Sequence, residues 1–86
     1  MNLHRLRLLR EFELRGTIAA VAEALAYTPS AVSQQLALLE REVGARLFRP
    51  AGRRVQLTHA GEILVAHAAV LLSQVELAEA ELAGAR

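Results

Sequence analysis

The sequence predicts a mainly α fold: a winged helix-turn-helix with a three-helix core and a short two-stranded β wing, followed by a long C-terminal helix. Three observations predict it. The chain is rich in alanine and leucine with 3% aromatic residues, which favours helices over a β-rich fold. A short connection leads into a helix that starts with proline, and the apolar period changes in an arginine-rich stretch after Gly44.

The first two helices are predicted from apolar spacing and capping residues. Apolar residues recur at helical spacing from Leu3 to Phe12, and Gly16 ends that pattern. Thr17 can cap a second helix over residues 18–26, in which small alanines permit close packing. The four residues that follow Leu25 are the short turn of a helix-turn-helix, with an ordinary αα-hairpin as the alternative.

The third helix is predicted over residues 28–42. Thr28 is a suitable N-cap, Pro29 fits the first helical position, and Gly44 provides the stop. Four apolar residues form one stripe that faces a core, namely Val32, Leu36, Leu39 and Val43. The opposite face is polar and carries no acid in its first turns. It holds Ser30, Ser33, Gln34, Ala37 and Arg41.

Residues 45–57 predict a β-hairpin wing. Strands are expected at residues 45–49 and 54–57, with Pro50 to Arg53 as the turn. The wing holds Arg46, Arg49, Arg53 and Arg54, and no acid occurs from Val43 to Ala60. This is the most positive segment of the chain, although a solvated turn is the competing interpretation.

Thr58 can cap a last helix, predicted from Ala60 to about Ala83. Six residues follow a four, three, four, three, four spacing, which is typical of a coiled-coil dimer interface: Leu64, Ala68, Leu71, Val75, Ala78 and Leu82. Ile63, Val70 and Leu77 widen this apolar face. We expect the first turns to pack on the winged domain and the rest to pair with a second copy; packing within one protomer is the alternative.

The charge is unevenly distributed. Residues 1–57 hold nine arginines and five glutamates, a net +4, whereas residues 58–86 hold one arginine and four glutamates, a net −3. Arginine forks suit phosphate and guanine, so the N-terminal part favours duplex DNA as a partner. The arginines of the first helix, Arg5, Arg7 and Arg10, are expected on a solvated face, with a phosphate contact as the alternative.

The sequence gives no sign of an enzyme or a cofactor site. His4, His59 and His67 have no metal-ligand spacing, and the chain has no cysteine for a disulfide or a thiolate site. The local sequence places no histidine next to Ser30 or Ser33 that could act as a catalytic base, and no glycine-rich phosphate-binding loop follows a strand. The most apolar run, residues 63–72, is too short to span a bilayer and no signal peptide is visible, so we expect a cytoplasmic, nucleoid-associated protein without membrane contact.

Several linked stretches resemble the DNA-binding domain of LysR-type transcriptional regulators. They run in order as Phe12…Gly16-Thr17, Ala22…Leu25, Ala31 to Leu36, Leu39-Glu40, Gly44…Leu47-Phe48, Arg53…Val55…Leu57-Thr58 and Ala60-Gly61. The resemblance implies sequence-specific DNA binding by residues 1–57, a linker and dimerisation helix over residues 58–86, and a near-palindromic target. A small-molecule inducer would act only through an effector domain that this sequence does not contain.

The resemblance and the residues together select the site. Contacts with bases in the major groove are expected from Thr28, Pro29, Ser30, Ser33 and Gln34. Contacts with the backbone or the minor groove are expected from Gln35, Arg41, Arg49, Arg53 and Arg54. Two residues depart from the family pattern. Pro50 occupies a position where the family usually has an arginine, and relatives often have an arginine at the position of Gln34.

The main alternative is a helical interaction module that dimerises without binding specific DNA. The acid-free basic wing distinguishes the two, because such a module has no need of it.

Overall fold

A computed structural model describes residues 1–85 as four helices and one antiparallel sheet of two strands. In chain order the elements are α1 (Leu3–Arg15), α2 (Ile18–Leu25), α3 (Pro29–Val43), β1 (Phe48–Ala51), β2 (Arg54–Leu57) and α4 (His59–Gly84). The winged helix-turn-helix with a long C-terminal helix is therefore confirmed. The predicted linker, residues 58–86, ends at Arg86, which lies outside the described residues.

Side-chain caps explain where the helices start. Each N-cap side chain accepts a hydrogen bond at 3.1 Å from the backbone N–H three residues on, and the caps are Asn2, Thr17, Thr28 and Thr58. Gly16 and Gly44 end α1 and α3 with left-handed φ of 86° and 69°. Ala26 takes the same conformation after α2, with φ of 59°, which turns the chain sharply into α3.

One hydrophobic core joins all four helices and the start of the wing. Its buried side chains come from α1 (Leu6, Leu8, Leu9, Phe12), α2 (Val21, Ala22), α3 (Val32, Leu36, Leu39), the link to β1 (Leu47) and α4 (Val65, Ala68). The rings of Phe12 and Phe48 meet edge to face at a centroid distance of 5.0 Å. The wing is thus packed on α1 rather than attached only through its ends.

The first wing strand lies three residues later than predicted. It covers Phe48–Ala51 instead of residues 45–49, and Pro50 pairs with Val55 in the register. Only Gly52 and Arg53 form the turn, with Gly52 at φ 65°, as expected for a tight hairpin whose first central residue is glycine.

The strand is displaced because Glu40 holds the chain that precedes it. Its carboxylate accepts hydrogen bonds from the backbone N–H of Leu47 at 2.7 Å and of Phe48 at 3.3 Å. Arg46 lies 3.6 Å from the same oxygen. The Leu47 amide is bound to a side chain of α3, so the residues before Phe48 link α3 to the wing and the sheet begins only at Phe48.

Thr58 and Gly61 fix the other end of the wing. The Thr58 hydroxyl donates to the carbonyl of Arg46 at 2.6 Å, and its backbone N–H donates to the carbonyl of Leu47 at 2.9 Å. A Cβ on Gly61 would lie 2.3 Å from the Leu47 carbonyl oxygen. Only glycine therefore allows α4 to approach the wing so closely.

Helix α4 packs on α1 through a stripe next to the one we predicted for a partner. Gly61, Val65, Ala68 and Leu72 are buried against the protomer's own domain. The assignment of Ala68 to a dimer interface is therefore wrong: its side chain is fully buried in the protomer core. Leu64 and Val75 are half-buried beside it, whereas Leu71, Ala78 and Leu82 remain exposed, together with Ile63, Val70 and Leu77.

By length and composition alone, α4 could cross a bilayer. An 18-residue window of it has a mean hydropathy of 1.5, so the apolar stretch is longer than the run of residues 63–72. This is weak evidence for a membrane span, because a helix with one core stripe and one exposed apolar stripe passes the same test. We interpret the hydropathy of α4 in that way.

Gly61→Ala should destabilise the protein by about 1–3 kcal/mol, because the new methyl group clashes with a backbone carbonyl that cannot rotate away. Urea unfolding measures the effect. The matched control is Gly84→Ala in the same helix, where an added Cβ meets nothing within 4 Å. Equal stability of both variants would contradict the close approach.

Glu40→Ala should lower the free energy of unfolding by about 1–3 kcal/mol, because two backbone N–H groups lose their acceptor where Leu47 is buried. Glu42→Ala is the control, since its ion pair with Arg5 is exposed to solvent and stabilises the fold little. Thermal or urea unfolding of the two variants decides, and a larger loss for Glu42→Ala is the result that would refute this.

Candidate nucleic-acid interface

The start of α3 is built to expose polar groups. Thr28 accepts the hydrogen bond of Ala31 N–H, and Pro29 occupies a helical position whose N–H has no partner within the helix. The apolar side of the helix is buried through Val32, Leu36 and Leu39. The polar side must therefore face solvent.

The five side chains predicted to contact bases all lie on this exposed surface: Thr28, Pro29, Ser30, Ser33 and Gln34. Ala37 and Arg41 continue the same side along the helix and are also exposed. The serine hydroxyls and the Gln34 amide can bind base edges, and the small Ala37 leaves space for them. Arg41 lies further along the helix, where it can contact a phosphate.

Gln35 does not belong to that surface. Its side chain is half-buried, and its carbonyl oxygen accepts a hydrogen bond from Arg5 Nε at 2.9 Å. Its carbonyl oxygen thus holds α3 against α1, and the predicted contact of Gln35 with the DNA backbone stays a prediction. The sequence pattern did not indicate this, because the partner is 30 residues away.

Both glutamates of α3 accept hydrogen bonds from donors within the protomer. Glu42 receives a hydrogen bond from Arg5 Nη1 at 2.8 Å, and this contact lowers the pKa of its carboxyl group below the ordinary value. Glu40 is engaged by the amides that precede the wing. The acids near the end of α3 therefore oppose an approaching polyanion less than their number indicates.

Arg5 is the functional residue that the sequence interpretation placed wrongly. It was expected on a solvated face, but its guanidinium bridges Gln35 and Glu42, two turns apart on α3. A helix-spacing argument cannot find such a contact, because it lies between two helices.

The predicted arginines of the wing are exposed. Arg53 and Arg54 lie at the hairpin turn, and Arg49 lies on the outer side of β1, where its Nη2 donates to Gln56 at 3.3 Å. Among residues 1–85, none of the three forms an ion pair. Pro50, at the place of the family's usual arginine, is also exposed and offers no charge.

The wing tip borders the start of α2. Thr17, Ile18 and Ala19 line one hollow together with Arg53, Arg54 and Val55. The positive end of the α2 dipole therefore adjoins two guanidinium groups, which favours an anion there.

A histidine–tyrosine pair lies at the other side of the α3 start. His4 Nε2 and the Tyr27 hydroxyl are 3.2 Å apart, and their rings meet edge to face at 5.7 Å. Neither residue was selected as a site residue from the sequence. Their separation of 23 residues gives no local signal.

Comparison with known proteins gives one consistent result. Residues 3–62 match the model of the bacterial regulatory helix-turn-helix proteins of the lysR family. The HTH-type transcriptional regulator DgdR of Burkholderia cepacia is 44% identical over 80 residues, which are 90% of this chain and 27% of that protein. The chain spans 19% to 27% of the length of the first curated relatives that it matches.

Solved structures with a similar fold belong to the same kind of regulator. The DNA-binding domain of BenM in complex with benA site 1 DNA has a TM-score of 0.91 at 26% identity, with all of both chains covered. The full-length regulator LysG of Corynebacterium glutamicum, with bound effector Arg, has a TM-score of 0.85 at 33% identity, over 98% of this chain and 29% of that one. The chain belongs to the lysR family of bacterial regulatory helix-turn-helix proteins.

Proposed function

We propose that residues 1–57 bind duplex DNA sequence-specifically as the N-terminal domain of a bacterial transcriptional regulator. Helix α3, predicted as residues 28–42, lies in the major groove, and the wing, residues 45–57, lies on the minor groove and the backbone. The observation that carries this proposal is the exposed, acid-free start of α3 beside a wing with three exposed arginines that form no ion pair within residues 1–85.

Selectivity comes from the polar start of α3. Thr28, Pro29, Ser30 and Ser33 position the helix at bases and nearby phosphates, while Gln34 reads a base edge. A glutamine amide pairs best with adenine in the major groove, where an arginine would prefer guanine. This chain therefore reads a different base at that position from relatives that have an arginine in place of Gln34.

Affinity comes from charge. Arg41, Arg49, Arg53 and Arg54 contact phosphates or the minor groove without reading sequence. Three or four such contacts in each protomer give a dimer a log–log salt slope of roughly −5 to −7.

We further propose that residues 58–86 form a linker and dimerisation helix. The predicted interface residues other than the buried Ala68 pair with the same residues of a second copy; Leu71, Ala78 and Leu82 are exposed, and Leu64 and Val75 are half-buried. A two-fold dimer then reads a near-palindrome whose half-sites lie about one helical turn apart.

Because the curated relatives are about four times as long, we assign small-molecule inducer binding to an effector domain outside this chain. The protein acts in the cytoplasm at the nucleoid.

The exposed stripe of α4 also suits the alternative, a helical interaction module without specific DNA binding. Filter binding to random and selected duplexes at two salt concentrations separates the two functions. An interaction module would show no selected sequence and no steep salt slope.

Gln34→Ala should relax the preference at one base pair of each half-site by about 1–3 kcal/mol and leave binding to random duplex nearly unchanged. Competition binding with single-base variants of a selected duplex measures it. Arg53→Ala is the control: it should weaken selected and random DNA alike and reduce the salt slope by about one per protomer. If Gln34→Ala weakened both kinds of DNA equally, its role as a base reader would be disproved.

Leu71→Asp should dissociate the dimer, because pairing would bury an unpaired charge. Analytical ultracentrifugation gives the oligomeric state. Ala80→Asp adds the same charge to an exposed residue nine positions on, about 180° round the helix, and should leave the dimer intact. A dimer that survives Leu71→Asp, or one lost in both variants, speaks against this stripe as the interface.

A further inference from the structure

We propose that Tyr27 and His4 form a phosphate contact on the side of α3 opposite the wing. The Tyr27 hydroxyl donates to the phosphate, and His4 is the residue that positions this hydroxyl. The inference rests on the proposed binding of α3 in the major groove, and it adds a contact with the second phosphate wall of that groove.

The two sides of α3 meet different parts of the protomer. Glu40 reaches the segment before the wing, whereas Gln35 and Glu42 face α1 through Arg5. Glu40 and Gln35 are five residues apart, which places them about 140° apart round the helix. The wing arginines therefore serve one wall of the groove, and the N-terminus of α1 lies towards the other.

The pair is ordered and exposed at the same time. The Tyr27 side chain is 44% exposed, and its hydroxyl lies 3.2 Å from His4 Nε2. Its backbone is fixed by a 2.9 Å hydrogen bond from its N–H to the carbonyl of Ala22. Leu8, Ala31 and Val32 line a hollow together with both rings, so the apolar part of the tyrosine is supported while its hydroxyl meets solvent.

The chemistry of the pair suits an anion. A tyrosine hydroxyl can accept one hydrogen bond and donate another. When the proton of His4 is on Nε2, the imidazole donates to the tyrosine oxygen, and the O–H remains free to donate to a phosphate. Tyr27 immediately precedes the N-cap Thr28 and lines one hollow with Ala31 of the first turn of α3, whose dipole favours an anion nearby.

The contact differs in kind from that of a wing arginine. A neutral hydroxyl displaces no counterion, so its loss weakens binding without changing the salt slope. It also reads no base, so its loss affects selected and random duplexes alike. A pair with a merely structural role would change the unfolding temperature but no individual phosphate contact.

The experiment is a scan of a selected duplex with uncharged methylphosphonates placed one at a time, for the wild-type chain, Tyr27→Phe, His4→Leu and Arg53→Ala. Tyr27→Phe should bind unmodified DNA about tenfold more weakly per protomer, with the salt slope unchanged. It should also become insensitive to methylphosphonate at one phosphate that the wild type needs. His4→Leu, which has no donor for the tyrosine oxygen, should lose sensitivity at the same phosphate, and the double variant should bind no more weakly than Tyr27→Phe.

Arg53→Ala is the matched control and should keep sensitivity at that phosphate while losing it elsewhere. The inference is overturned if the methylphosphonate scan of Tyr27→Phe matches that of the wild type. It is also overturned if Tyr27→Phe loses affinity only because the variant unfolds at a lower temperature. Failure of the wild-type chain to select any duplex would overturn the proposed function instead, so the two failures are distinguishable.

Discussion

The arrangement of the proposed interface depends on how α3 is held from two sides. On one side, the Glu40 carboxylate binds the amides of Leu47 and Phe48, which fixes the wing to the end of α3. On the other side, Arg5 ties Gln35 and Glu42 to α1. Each of these contacts engages one of the two glutamates of α3. The same interactions thus hold the helix in place and offset the charge of both carboxylates beside the proposed DNA-binding surface, so rigidity and electrostatics have a common origin.

Much of the fold follows from local signals. Thr17, Thr28 and Thr58 begin helices where a side-chain oxygen can satisfy a free N–H, and Gly16 and Gly44 end them in a left-handed conformation. The order of the elements and the exposed face of α3 could be predicted because each depends on residues within a few turns of one another.

Errors arose where a distant partner decides the outcome. The first strand was placed too early, since the Leu47 amide binds the Glu40 carboxylate and the ladder begins only at Phe48. Ala68 was assigned to a partner, although α1 covers it: the 4–3 spacing predicts an apolar stripe but not which neighbour meets it. The contacts of Gln35, Arg5, His4 and Tyr27 were missed for the same reason, because they join different helices.

Gly61 has a mechanical consequence. By bringing α4 against the Leu47 carbonyl, it makes the first turns of that helix part of the DNA-binding body, while the last turns extend beyond it. The part of α4 beyond Leu72, the last residue of the helix that is buried on the domain, covers residues 73–84 and is about 18 Å long. A tilt of about 10° at Leu72 moves the far end by about 3 Å, which is about one base-pair step. In the proposed dimer, small changes of angle where two copies meet would therefore be converted into a shift of reading position along the duplex.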